Sequence, residues 1–173
     1  NKVQGIEYAI QFFNPQIVLL DDSFQSNYIA KKLDIVLFNT LNKKEDLKLF
    51  PFGKLRGAVD SLERADLVIF TKHNLGEPES SGVASVLPVI KKNEVPYIYS
   101  ETTSSLIQHS LGDVLPHHWK GPMSIKTMPL KQRLFAFCGI GDPFSFECTT
   151  QPYHSHIIKQ KRFQDHYKYH NNL

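Results

Sequence analysis

Apolar positions in this chain of 173 residues come in short blocks separated by polar punctuation. Val3, Ile6, Ala9, Ile10 and Phe13 recur at helical spacing, and Asn14-Pro15 ends that pattern. Residues 17–20, IVLL, form a continuous apolar run of the kind that makes a strand buried on both faces of a parallel sheet. Residues 34–39, DIVLFN, predict a second such strand, with a short helix or loop over 24–32 between the two. A polar, lysine-rich loop at 40–48 leads to a Pro- and Gly-punctuated stretch, 49–57. A helical segment at 58–65, a third strand at 66–70, a helix at 83–92 and a fourth strand at 95–99 follow. The pattern weakens over 101–121, and 123–128 alternates like an edge strand. A fresh unit begins near Lys131, with a strand at 133–138, a glycine turn, a short helix from Phe144 and a strand at 154–163. This order predicts the α/β class: a mostly parallel sheet flanked by helices in a core lobe, 1–121, and the start of a smaller second α/β lobe, 122–173.

Candidate chemistry gathers at a few points. The run 17–20 leads straight into Asp21 and Asp22. Ligands of open α/β sheets collect at the carboxyl ends of strands, and a pair of acids there suits Mg²⁺, held by one or two carboxylates plus substrate phosphates. An acidic turn, with one Asp capping the next helix, fits the same residues. Lys54 and Arg56 precede the helical segment at 58–65. Arg56 there can offer its planar fork to a phosphate, or can simply be an exposed surface arginine. Gly139-Ile140-Gly141-Asp142-Pro143 follows a strand and precedes a helix. Such a turn can bring backbone N–H groups to an anion, but the plain need for flexible residues accounts for it equally. His154, His156, His166 and His170 lie close in sequence without spacing typical of a zinc site.

Composition adds bounds. At 41% hydrophobic and 21% charged the chain is an ordinary globular polypeptide. Its formal charge of +3 permits anionic ligands or an anionic membrane surface, and no block of like charges reads as a nucleic-acid arm. Cys138 and Cys148 are too few for a disulfide scaffold and fit a reducing cytosol. No apolar run approaches the length of a membrane span. The chain does not begin with Met, and its first residues read as the middle of a domain.

Several stretches, taken together and in order, carry a family resemblance. Asp21-Asp22-Ser23-Phe24-Gln25 resembles the D-D-G-F-Q-H motif of the tetraacyldisaccharide 4′-kinases, which phosphorylate lipid A precursors. LFPFGKLR at 49–56 is similar to that family's L-L-P-A-G-P-L-R-E-P, and Arg64-Ala65-Asp66 to its R-A-D strand. CGIGDP at 138–143 and FQDH at 163–166 resemble its G-I-G-N-P and F-x-D-H signatures. The resemblance implies a P-loop NTPase-like fold with a second lobe. It implies ATP- and Mg²⁺-dependent transfer to the 4′-hydroxyl of an acylated glucosamine disaccharide 1-phosphate, at the cytoplasmic face of the bacterial inner membrane. By position, Asp21 and Asp22 would hold Mg²⁺, Gln25 would line the same site, Arg56 would face phosphate charge, and His166 beside Asp165 would support the catalytic base. No nucleic-acid partner is implied.

The departures are specific. Ser23 stands where the family has Gly, Ser26 where it has His, Gly57 where it has Glu, and Asp142 where it has Asn. No G-x-x-x-x-G-K-[ST] phosphate loop occurs in the chain. The chain therefore resembles the central portion of a longer kinase, and the 173 residues alone are expected to turn over no ATP. A relative that binds nucleotide or glycolipid without catalysis is the alternative.

Overall fold

The computed structural model describes residues 1–77, 80–104 and 133–168. The chain divides into two compact units, Asn1–Glu101 and Thr102–Leu173. The expected boundary at 121 and the expected edge strand at 123–128 lie outside the described residues.

The first unit opens with helix α1, Lys2–Phe13, capped by the Asn1 side chain and closed by Asn14 in the left-handed conformation. Three strands follow: β1 (Ile35–Asn39), β2 (Leu67–Thr71) and β3 (Tyr97–Tyr99), paired in that order and all parallel. Helix α2, Ser81–Lys92, makes the crossover from β2 to β3. Its amino end is capped by Ser80, which accepts from the Val83 N–H. The segment 58–65, expected as a helical turn, is a 3-10 helix over Val59–Arg64.

Period-2 alternation decides which side chains the sheet buries. Phe38 on β1 and Val68 and Phe70 on β2 point to one face, where Val83, Val86 and Ile90 of α2 close over them with Leu62, Ala65 and Val95. Val68, Phe70, Val86 and Ile90 are wholly buried. On the opposite face Leu37, Ile69 and Ile98 stand in register across the three strands. That face is open among the described residues, with Leu37 67% exposed.

The strand expected at 17–20 is not formed. Residues 17–20 follow α1 without regular structure and pair with no strand among the described residues, and Leu19 is 91% exposed. Apolar content marks the run as one that seeks cover, but a strand also needs a ladder partner, and among the described residues β1 hydrogen-bonds only to β2 in this sheet. The core of the unit is accordingly one-sided.

The second unit contains β4 (Leu134–Cys138), helix α3 (Pro143–Thr150) and β5 (Ile157–Arg162), with β4 and β5 parallel. The strand expected from 154 starts later because Gln151–His156 forms a 3-10 helix. Asp142 caps α3 by accepting from the Ser145 N–H at 3.2 Å, with Pro143 at the first helical position. Asp142 thus does the capping that an Asn at this position would also do. Arg162 on β5 forks onto Glu147 of α3, Nε to Oε1 at 2.5 Å and a terminal nitrogen to Oε2 at 2.6 Å. That hydrogen bond holds the Glu147 carboxyl below its ordinary value.

Two stability outcomes follow from this packing. Ile90→Ala should cost about 2–5 kcal/mol in denaturant unfolding, whereas Leu37→Thr on the open face should stay within about 0.5 kcal/mol. Because folding lowers the Glu147 pKa, its pairing stabilises the fold above the unfolded value of 4.5 and loses that contribution as pH falls through the lower folded value. The stability difference between wild type and Glu147→Gln, read from urea midpoints, should therefore be present at neutral pH and vanish in that acid window.

Candidate functional site

The acid turn begins where the apolar run 17–20 ends. Asp22 has φ 50, the left-handed region, which Asp tolerates better than most residues. Ser23 is buried, and its hydroxyl donates to the Leu20 carbonyl at 3.2 Å, closing the turn. A serine in place of glycine here therefore adds a hydrogen bond.

Three cations hold this turn. Lys2, at the start of α1, donates from Nζ to the Asp21 carbonyl at 2.8 Å and to the Asp22 carbonyl. Lys31, only 11% exposed, donates to the Ser23 carbonyl at 2.9 Å and pairs with Asp34 at 2.8 Å, just before β1. Arg64 lies over the Phe24 ring at 4.8 Å and donates to Asn27 at 2.8 Å. Phe24 packs against the core of the unit. Sequence reasoning singled out neither Lys2 nor Lys31. Lys2 lies nineteen residues from Asp21 and carries no local signal of the contact. The spacing of Lys31 and Asp34, at i and i+3, was a legible clue to that ion pair.

Of the predicted site residues, the first unit brings three together. Arg56 forms an ion pair with the Asp22 carboxylate across thirty-four positions of sequence. Gln25 lies against Gly57, the residue after Arg56: a Cβ on Gly57 would stand 3.9 Å from Nε2 of Gln25. Nothing but ordinary van der Waals contact would meet that Cβ, so the missing Glu side chain is not excluded by crowding. Asp21 is exposed, and its carboxylate has no ion pair or hydrogen bond among the described residues. Asp21 and Asp22 together offer hard, accessible oxygen donors, which is the chemistry Mg²⁺ requires.

His166 lies in the second unit, past the end of β5. Its backbone N–H bonds Asp165 at 3.0 Å, and its ring, 96% exposed, stands 3.9 Å from the Asp165 carboxylate. The Gly141 turn comes to the same place: a Cβ on Gly141 would lie 3.4 Å from Oδ2 of Asp165. Both stretches follow the carboxyl ends of the parallel strands β4 and β5, joined by the Phe163 N–H on the Cys138 carbonyl at 2.7 Å. His166 has φ 56, so Asp22 and His166 are two of the five non-glycine residues in the left-handed region among the described residues. Backbone held this way concentrates at functional positions.

The family model for tetraacyldisaccharide-1-P 4′-kinase, LpxK, matches residues 1–173. The chain belongs to the tetraacyldisaccharide 4′-kinase family. It is 29% identical to a tetraacyldisaccharide 4′-kinase of Halothermothrix orenii over 98% of this chain and 44% of that protein. It is likewise 29% identical to one of Chlorobaculum tepidum, over 97% of this chain and 45% of that protein. The crystal structure of LpxK from Aquifex aeolicus in complex with ATP superimposes with a TM-score of 0.61 at 22% identity, covering 99% of this chain and 48% of that one. The α/β fold is thus that of LpxK, and the chain spans less than half the length of the curated relatives it matches.

In the family's D-D-G-F-Q-H position, the acid turn depends on Lys31. Lys31→Met would take their ammonium partner from the Phe24 carbonyl and Asp34 and leave the Ser23 carbonyl to the Ser26 N–H alone, costing about 1–3 kcal/mol. Amide exchange across residues 21–29 should accelerate more than exchange in β2, and equal acceleration would show that Lys31 supports the unit as a whole.

Proposed function

We propose that this chain supplies the acid–arginine part of a tetraacyldisaccharide 4′-kinase. That enzyme moves the γ-phosphate of ATP to the 4′-hydroxyl of a tetraacylated glucosamine disaccharide 1-phosphate, at the cytoplasmic face of the inner membrane. The observation that carries the reading is the Asp22–Arg56 ion pair, formed between two motifs that the family resemblance singled out separately. Phosphoryl transfer needs little covalent help from protein. It needs positioning and neutralisation of charge on the transferred group.

Each residue has a role suited to its surroundings. Arg56, exposed and pre-aimed by Asp22, turns its fork toward phosphate oxygens when a nucleotide or the acceptor's own phosphate enters. Asp21 and Asp22 would hold Mg²⁺, which when bound offsets the charge of the phosphates. Gln25, beside Gly57, lines the same side of the turn. His166 is assigned to support of the base on its motif and on its Asp165 neighbour.

The test is phosphate transfer by the natural polypeptide that carries this sequence, given ATP, Mg²⁺ and the glycolipid acceptor. Arg56→Ala should lower kcat about 10²–10³-fold, with a smaller change in the KM for ATP. Asp22→Asn should do the same and weaken dependence on Mg²⁺. Ser23 and Gly57, which depart from the family pattern, favour a second reading: a relative that binds nucleotide or glycolipid without catalysis. A wild-type protein that binds ATP but transfers no phosphate would establish that second reading in place of the first.

A further inference from the structure

Residues 49–55 form a small closed loop whose tip is apolar and whose backbone is satisfied from within. The Phe50 N–H donates to the Leu55 carbonyl at 2.8 Å and the Leu55 N–H to the Lys48 carbonyl at 3.0 Å. The Phe52 N–H donates to the Leu49 carbonyl and the Lys54 N–H to the Asp46 carbonyl, each at 2.9 Å. Pro51 has no N–H to satisfy. Gly53 is required by closeness: a Cβ there would stand 2.4 Å from the Lys48 carbonyl oxygen. Against this tight frame the side chains turn outward. Phe50 is 78% and Phe52 85% exposed, and Leu49 is exposed beside them.

Leu19, Ile17 and Phe13 are comparably exposed, and what sets Phe50 and Phe52 apart is the self-bonded loop that carries them between lysines. An unpaired backbone N–H is what ordinarily keeps a loop out of an apolar medium, and here four of the loop's N–H groups are already paired. The surroundings are cationic. Lys43, Lys44, Lys48, Lys54 and Arg56 lie within a fourteen-residue stretch that holds Glu45 and Asp46 as its acids, Asp46 being paired with Lys54 at 3.3 Å. Aromatic rings flanked in sequence by lysines match the boundary of an anionic bilayer, rings among the upper acyl chains and ammonium groups at the phosphates.

We propose that this loop is a membrane-docking element that seats Phe50 and Phe52 in the interface of an anionic phospholipid bilayer. Its use rests on the kinase reading. Phe52 and Arg56 are four residues apart, so the chain between them spans at most about 14 Å. Docking at Phe52 therefore keeps Arg56, and Asp22 with it, within reach of the headgroup layer, where the sugar of an acylated acceptor lies. The family pattern quoted above has Ala and Pro where this chain has Phe52 and Lys54, so the device belongs to this chain's own residues.

The test uses the 173-residue chain and vesicles without nucleotide or acceptor, so it succeeds or fails apart from any kinase activity. Wild type should float with vesicles of equimolar phosphatidylglycerol and phosphatidylcholine. The Phe50→Ser/Phe52→Ser double variant should lose at least about tenfold in partitioning. Lys48→Gln should lose about fivefold on the anionic vesicles and little on pure phosphatidylcholine. A Phe52→Trp probe in a Trp119→Phe background should be quenched by lipids brominated along the acyl chain, a readout that holds even where the serine variant folds poorly. Unchanged flotation of a folded serine variant, or an unquenched probe on bound vesicles, overturns the proposal. So does self-association of the wild type that Phe52→Ser abolishes, which would make a second copy the loop's occupant.

Discussion

The geometry of the acid turn depends on the Lys31 ammonium. It is nearly enclosed, it neutralises Asp34 at the threshold of β1, and it binds the carbonyls of Ser23 and Phe24. An enclosed ammonium is tolerable only when its charge and its donors are all taken up, and these partners do so. A rigid element, the parallel sheet, thereby reaches across eight residues to fix a loop that has no regular structure of its own. Phe24 adds the apolar half of the same anchor by packing against the core of the unit beneath Arg64. A turn held from both sides in this way can keep Asp22 in a left-handed conformation that an untethered loop would relax.

How much of this was legible from residues alone follows from what each signal measures. The spacing of Val3, Ile6, Ile10 and Phe13 marked α1, and the runs at 34–39, 66–70 and 95–99 marked the three strands, because period and run length report local conformation. The run 17–20 carried the same signal as 34–39 yet makes no strand, since apolarity states a demand for cover and not what supplies it. The segment 58–65 turned out as a 3-10 helix, a distinction of one hydrogen-bond register that side-chain pattern scarcely encodes. At the site, Asp21, Asp22, Gln25 and Arg56 were named from residue type and resemblance. The Asp22–Arg56 contact, like the grip of Lys2 on the acids' carbonyls, spans distances over which sequence patterning holds no record.

The open side of the sheet bears on the same point. Parallel sheets are ordinarily covered on both faces, and the register of Leu37, Ile69 and Ile98 makes an apolar stripe of the kind that such cover buries. The stripe and the loop at 49–55 are both apolar and both exposed, but they differ in kind. The stripe belongs to the face of a sheet; the loop is self-bonded and flanked in sequence by lysines. The first geometry suits packing by protein and the second suits entry into a lipid interface.

The exposure of the Asp22–Arg56 pair is the last constraint to weigh. An ion pair open to solvent contributes at most about 1 kcal/mol, because water and salt already screen both charges. As a stabiliser of the fold it is therefore weak, and the tethers through Lys31, Phe24 and Lys2 hold the turn without it. As a resting arrangement it has merit. The acid keeps the guanidinium oriented at little energetic depth, and an incoming phosphate with more negative charge than one carboxylate can draw the fork away. On the proposed function, the released carboxylate would then be free, beside Asp21, for a cation that arrives with the phosphate. A buried pair could not make that exchange, since parting it would leave an uncompensated charge in a poorly screened interior. Weak pairing at the surface, on a turn held rigid by other contacts, is thus what an exchangeable phosphate site requires.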